Sequence, residues 1–238
     1  MMGKVKYNRK KDTKKNEIFE SSEALAEQLS KSERFVEENK TLVFGLLGAI
    51  MLAITGYFVF NYYINNQNEQ AQIDMFQAVY YFEGDSLNKA LNGDGNNYGF
   101  LDIIDNYGIT STANLAHFYA GAIYIKQGDF ETAIEHLKKF SAQDIAIQAR
   151  AYSLIGDANM ELGNYNKAAT QYLKAANDNA NEFMSPQYLE KAGLAYERMM
   201  DYESATECYS KIVDNYTKST EYQNARKQKA RLESLASK

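Results

Sequence analysis

Apolar positions fall along this chain in two ways. One block, TLVFGLLGAIMLAITGYFVFNYY from Thr41 to Tyr63, runs for 23 residues without a charge. The segments on either side instead mix apolar and polar residues at helical spacing. Leu42 to Phe60 makes 19 residues, roughly 28 Å as a helix, which matches a hydrocarbon core of about 30 Å. Tyr57, Tyr62 and Tyr63 at its far end suit an interfacial aromatic belt. The pattern predicts a transmembrane helix over 41–64. A buried core helix would need a large surrounding core, and neither flank provides one. A cleaved signal peptide is disfavoured, because about 40 charged and polar residues precede the block and no small-x-small site follows it. The block reads as an uncleaved signal anchor.

The flanking segments predict further helices. EQAQIDMFQAVYYFEGD has helical apolar spacing at Ile73, Phe76, Val79 and Tyr80. NNYGFLDIIDNY predicts a second helix with Phe100, Leu101, Ile104 and Tyr107 inward, after the turn material NGDGNN. Together they suggest a degenerate helical unit over 65–113. STEYQNARKQKARLESLASK reads as a polar capping helix over 219–238, with Thr220 and Gln223 as a capping box. Before the block, Ile18, Leu25, Leu29 and Val36 lie near heptad spacing, with Ser22 and Ser32 between them. That is a short amphipathic helix, either surface-lying or meeting a partner helix; its heptads are too few to decide.

Three stretches between these ends repeat one another: AHFYAGAIYIKQGDFETAIEHLKKF, AYSLIGDANMELGNYNKAATQYLKA and YLEKAGLAYERMMDYESATECYSKI. Gly121, Gly156 and Gly193 align, as do Ala133, Ala168 and Ala205. Phe130, Tyr165 and Tyr202 align between them; Leu137, Tyr172 and Tyr209 follow. Periods of 35 and 37 residues separate the copies. Tyr124 and Tyr196 share an aromatic position from which Asn159 departs; Gly128 and Gly163 share a turn position from which Met200 departs. The pattern resembles the tetratricopeptide repeat, a helix pair of about 34 residues. The resemblance covers 114–218 and implies an all-α chain: one N-terminal membrane helix, then an α-solenoid of stacked pairs. Pro186 opens the third repeat, where a missing amide donor is tolerated, and NDNANEFMSP lengthens the loop before it.

Charge sets the orientation. The first 41 residues hold 10 basic and 8 acidic residues, and no Lys or Arg then appears before Lys89. The positive-inside rule puts residues 1–40 in the cytoplasm and the repeats outside, in the periplasm if the cell has one. Residues 65–238 carry 16 basic and 23 acidic residues, a net charge of −7. That balance argues against nucleic-acid binding. Gly45, Ala49 and Ala53 stand at small-xxx-small spacing, which suits packing against another helix, a second copy of the chain included.

Catalytic chemistry finds little material. The chain has two histidines and one cysteine. His117 lies at a packing position and His136 on a polar face, so neither a metal nor a catalytic role is expected. Cys208, with no histidine placed near it in sequence, reads as a plain helical cysteine. Asp94, Asn96, Asp102 and Asp105 match ligand positions of an EF-hand loop and Gly99 its turn position, but Tyr98 occupies another ligand position and the last is Asp in place of a bidentate Glu. A plain turn is expected. No cofactor is expected, and no enzyme.

The resemblance implies protein partners on a concave face lined by the first helix of each pair. Those positions are Leu115, Phe118, Ala122, Ile125 and Lys126; then Arg150, Ser153, Asp157, Met160 and Glu161; then Gln187, Glu190, Leu194, Glu197 and Arg198. Phe118 and Ala122 are not residues of the Lys/Asn/Arg clamp by which some members grip a carboxylate. An extended, partly apolar polypeptide fits better; packing of Leu115, Phe118 and Ile125 against the degenerate unit is the alternative. A basic tail, one anchor and an outside repeat domain also resemble the ancillary subunit of the bacterial SecYEG translocon. That implies translocon subunits, periplasmic chaperones or unfolded exported chains as partners. An adaptor of envelope assembly or cell division, or an envelope sensor acting through the cytoplasmic helix, are the alternatives.

Overall fold

The computed structural model describes residues 22–178 and 181–236. The basic tail, Ile18, and Asn179 and Ala180 of the long loop lie outside the described residues. Eleven helices and no strands are found among the described residues. They are α1 Ser22–Glu38, α2 Lys40–Glu83, α3 Leu87–Asn92, α4 Phe100–Asn106, α5 Ser111–Gln127, α6 Phe130–Lys139, α7 Ile145–Glu161, α8 Tyr165–Asp178, α9 Ser185–Arg198, α10 Tyr202–Asn215 and α11 Tyr222–Ala236. The chain divides into two units after Tyr62.

In the first unit, α1 carries Leu25, Leu29 and Val36 exposed. Its Lys31–Glu27 pair is exposed and spaced i,i+4, a contact that solvent screens. Of the described helices, α2 is the one long and apolar enough to cross a membrane, and none of its most apolar window is buried. It does not stop where the apolar block stops but runs on to Glu83.

The second unit is built of helix pairs, α5/α6, α7/α8 and α9/α10, each packed on its neighbour, with α11 against α10. Local chemistry starts and stops the helices. Thr110, Asp129, Asp144 and Asp201 each accept a hydrogen bond from a backbone N–H of the first turn of α5, α6, α7 and α10, satisfying donors a helix leaves orphaned. Pro186 sits in the first turn of α9. Gly128 and Gly163 turn the first two pairs with φ of 81° and 72°. Met200 makes the same turn in the third with φ of 62°, a left-handed conformation that costs a side-chain-bearing residue roughly 1–2 kcal/mol.

Close approach within each pair comes from the aligned glycines. A Cβ on Gly121 would lie 2.5 Å from Leu137, one on Gly156 2.5 Å from the Tyr172 ring, and one on Gly193 2.8 Å from the Tyr209 ring. Ala133, Ala168 and Ala205 beside them are fully buried.

The segment before the first repeat corrects the sequence reading. Ile73, Phe76 and Tyr80 are exposed, at 68%, 71% and 64%, and of the four residues at apolar spacing only Val79 packs on the core. The buried residues are Ala71, Met75 and Ala78, and Met75 and Ala78 cluster with Phe100, Ile103, Ala116 and Ala120. In α4 the inward set is as expected, with Leu101, Ile104 and Tyr107 packed beside fully buried Phe100 and Ile103. The capping box at the last helix is also corrected. The Thr220 hydroxyl donates to the Glu221 carboxylate at 2.8 Å, and α11 begins at Tyr222.

Candidate polypeptide-binding surface

The first helices of the pairs, α5, α7 and α9, carry every residue expected to meet a partner. The fold distributes them unevenly. Ser153 is fully buried. Leu115, Phe118, Ala122 and Ile125 are half-buried, packed on Leu137, Phe140, Ala151, Leu154 and Ile155, so they lean on the following repeat. Leu115 alone also touches the cluster of the preceding unit. Met160 packs beside Ala168 and Tyr172. Arg150, Glu161, Gln187, Leu194 and Arg198 are exposed.

Several charges on this surface are engaged across repeats. Lys126 pairs with Asp85 at 2.8 Å. Lys191 of α9 donates to both oxygens of Asp157 on α7, at 2.7 and 3.0 Å. Arg231 of α11 pairs with Glu197 of α9, and Asn224 of α11 donates to Glu190 of α9. Three of these contacts join residues 34 apart in sequence. That spacing is close to the 35- and 37-residue periods, so each is a rung between successive first helices or from α9 to the capping helix α11. The second-helix tyrosines tie in as well: Tyr172 donates to Asp157 at 2.7 Å and Tyr209 to Glu197 at 2.8 Å. Burial first, then the neighbouring carboxylates, push both phenols above their ordinary range. They stay protonated and remain donors. Sequence reading missed these rungs, although opposite charges one repeat apart were visible.

Two histidines that lie 19 residues apart are brought together. His117 Nδ1 and His136 Nδ1 are 3.0 Å apart, and the His136 ring lies 5.4 Å from that of Tyr124. Burial, then His136 and Lys139, push His117 down to about 4; burial and Lys139 also lower His136, against Glu135. One ring must donate and the other accept, so the pair is stable while at least one is neutral. Among the described residues no group of three or more His, Cys, Asp or Glu is placed to hold a metal ion.

The other sequence candidates are structural. Asp94 accepts from the backbone N–H of Asn96 and Asn97 and from the Tyr81 hydroxyl, a closed turn. The Tyr81 bond, then those backbone donors, hold its carboxyl well below the usual range. Asp102 caps Gly99 at 2.9 Å. Cys208 is buried, and burial pushes its thiol up to about 11, which leaves no thiolate at neutral pH.

One concavity lies on the other side of the pairs. A cleft of about 430 Å³ opens between α6 and α8, floored by Ile134, Ile155 and Asn159.

No curated protein matches the chain. The family profile described as a tetratricopeptide repeat-like domain matches residues 33–237. Three helix pairs closed by the same glycine contact, joined by rungs one repeat apart and covered by that match, place this chain in the tetratricopeptide repeat-like domain family.

Proposed function

We propose that the protein is a bitopic scaffold of a bacterial inner membrane. Residues 41–64 of α2 anchor it, the basic N-terminus lies in the cytoplasm, and the repeats lie in the periplasm. The first-helix surface binds polypeptides: exported chains, the translocon subunits they leave, or the chaperones that receive them. The observation carrying this reading is the state of that surface. Lys126, Asp157, Glu190 and Glu197 are held within the chain. Half-buried Phe118 and Ile125 and exposed Leu194 remain toward solvent. A surface on which Lys126, Asp157, Glu190 and Glu197 are already engaged, with Arg150, Glu161 and Arg198 exposed beside apolar positions, favours a partly apolar, extended segment over a gripped carboxylate.

Photocrosslinking in native membranes tests this, with a photoreactive residue at Phe118 and separately at Leu194. Translocon subunits, export chaperones or nascent chains identified by mass spectrometry are expected. Recovery of only division or outer-membrane assembly proteins overturns the translocon assignment. Crosslinks at neither position overturn binding by this face.

A further inference from the structure

The cleft between α6 and α8 has a counterpart in each neighbouring repeat, and there it is filled. Tyr196 packs among Ala168, Ala169 and Tyr172 of α8, Ala192 and Ala195 of its own helix, and Cys208 of α10. Tyr124 packs on the preceding unit and stacks beside His136 of α6. Asn159 holds the same place in the middle repeat. Its neighbours correspond residue by residue. Moving back one period of 37, Ala192 becomes Ile155 and Cys208 becomes Gln171; moving back 35, Ala169 becomes Ile134. Ile134, Ile155 and Gln171 all line the cleft. The middle repeat thus builds the walls of an aromatic socket and omits the ring. Asn159 is turned back on its own helix, its amide donating to the Ile155 carbonyl at 2.7 Å. Two isoleucines stand where the third repeat has alanines, so the walls are more apolar; Ile155 and Asn159 are each 4% exposed at the floor, and the cleft opens above them between α6 and α8. Lys138, Glu135 and Lys167 at its lining supply both charge signs for groups beside an inserted ring.

We propose that this cleft is a second binding site, which takes a tyrosine or phenylalanine side chain of a partner polypeptide in the place that Tyr124 and Tyr196 fill from within. The site rests on the scaffold reading only in that the partner is a polypeptide. Its walls are α6 and α8 and its floor is Ile155 and Asn159 of α7, so it is a different cleft from the one the first-helix positions line.

The test uses the full chain in detergent micelles with methyl-labelled isoleucine and threonine. The probes are N-acetyltyrosinamide, N-acetylphenylalaninamide and N-acetylleucinamide. The aromatic amides are expected to shift the Ile134, Ile155 and Thr170 methyl signals saturably, and the leucine amide is not. Asn159→Tyr should fill the socket, abolish those shifts and leave the Phe118 crosslinks intact. Thr170→Arg, an exposed change at the lining, should weaken binding without altering the core. Absence of aromatic-induced shifts overturns the proposal, as do equal shifts from leucinamide or an undiminished titration in both variants. Loss of the Phe118 crosslinks in the unaltered chain, with these shifts retained, would strike the first-helix reading alone.

Discussion

Individual residues carry much of the repeat's geometry. Gly156 lies against a Tyr172 ring held by Asp157 and, through Asp157, by Lys191. The ring cannot swing away cheaply. Gly156→Ala gains about 1 kcal/mol in helix propensity but overpacks at a cost of about 1–3 kcal/mol. The expected result is a lower melting temperature by circular dichroism, and an unchanged or higher one would contradict this contact. Met200 offers the reverse case. It is left-handed and 76% exposed, so Met200→Gly relieves strain without losing packing. A gain of up to about 1 kcal/mol in denaturant unfolding is expected. The histidine pair predicts a pH effect. Both groups are lowered from their ordinary 6.5, His117 to about 4. Above 6.5 folded and unfolded chains are both neutral there. As pH falls from 6.5 toward 4, the unfolded chain takes up protons the folded one refuses, so stability is lost across that window. His117→Gln with His136→Gln should flatten the melting temperature over it. The aligned glycines were legible in the sequence because a missing side chain recurs at a fixed period. The histidine contact was not, since 19 residues of separation say nothing until the hairpin angle is known.

At the scale of elements, the pairs are joined by rungs whose strength is measurable. Asp157 and Lys191 are both 30% exposed at the side chain, so solvent screens them only in part. A double-mutant cycle with Asp157→Asn and Lys191→Met is expected to give a coupling of about 0.5–3 kcal/mol. A coupling near zero would reduce the rung to a surface contact. Helix positions were readable from apolar spacing, but the phase of α2 was not. Large apolar residues at Ile73, Phe76 and Tyr80 look like a core face, yet close packing chose Ala71, Met75 and Ala78. Periodicity identifies a stripe; only the neighbouring helix decides which stripe it needs.

At the scale of the whole molecule, stability in a repeat array is close to a sum of terms between neighbours. Leu232 of α11 is fully buried against Tyr209 and Ile212. Leu232→Ala should cost about 2–5 kcal/mol. Hydrogen exchange should show faster opening of α9 and α10 with α5 little changed; uniform loss would mean the array opens as one unit. The sequence by itself determined the helical class, the three repeats, their turns and the apolar block, because these depend on local spacing and on residues that recur at one period. The tertiary structure decided which face of α2 is buried, which first-helix charges are engaged, and that a cleft opens above Asn159. Those outcomes depend on what stands opposite each side chain, and a linear pattern does not contain its own neighbours.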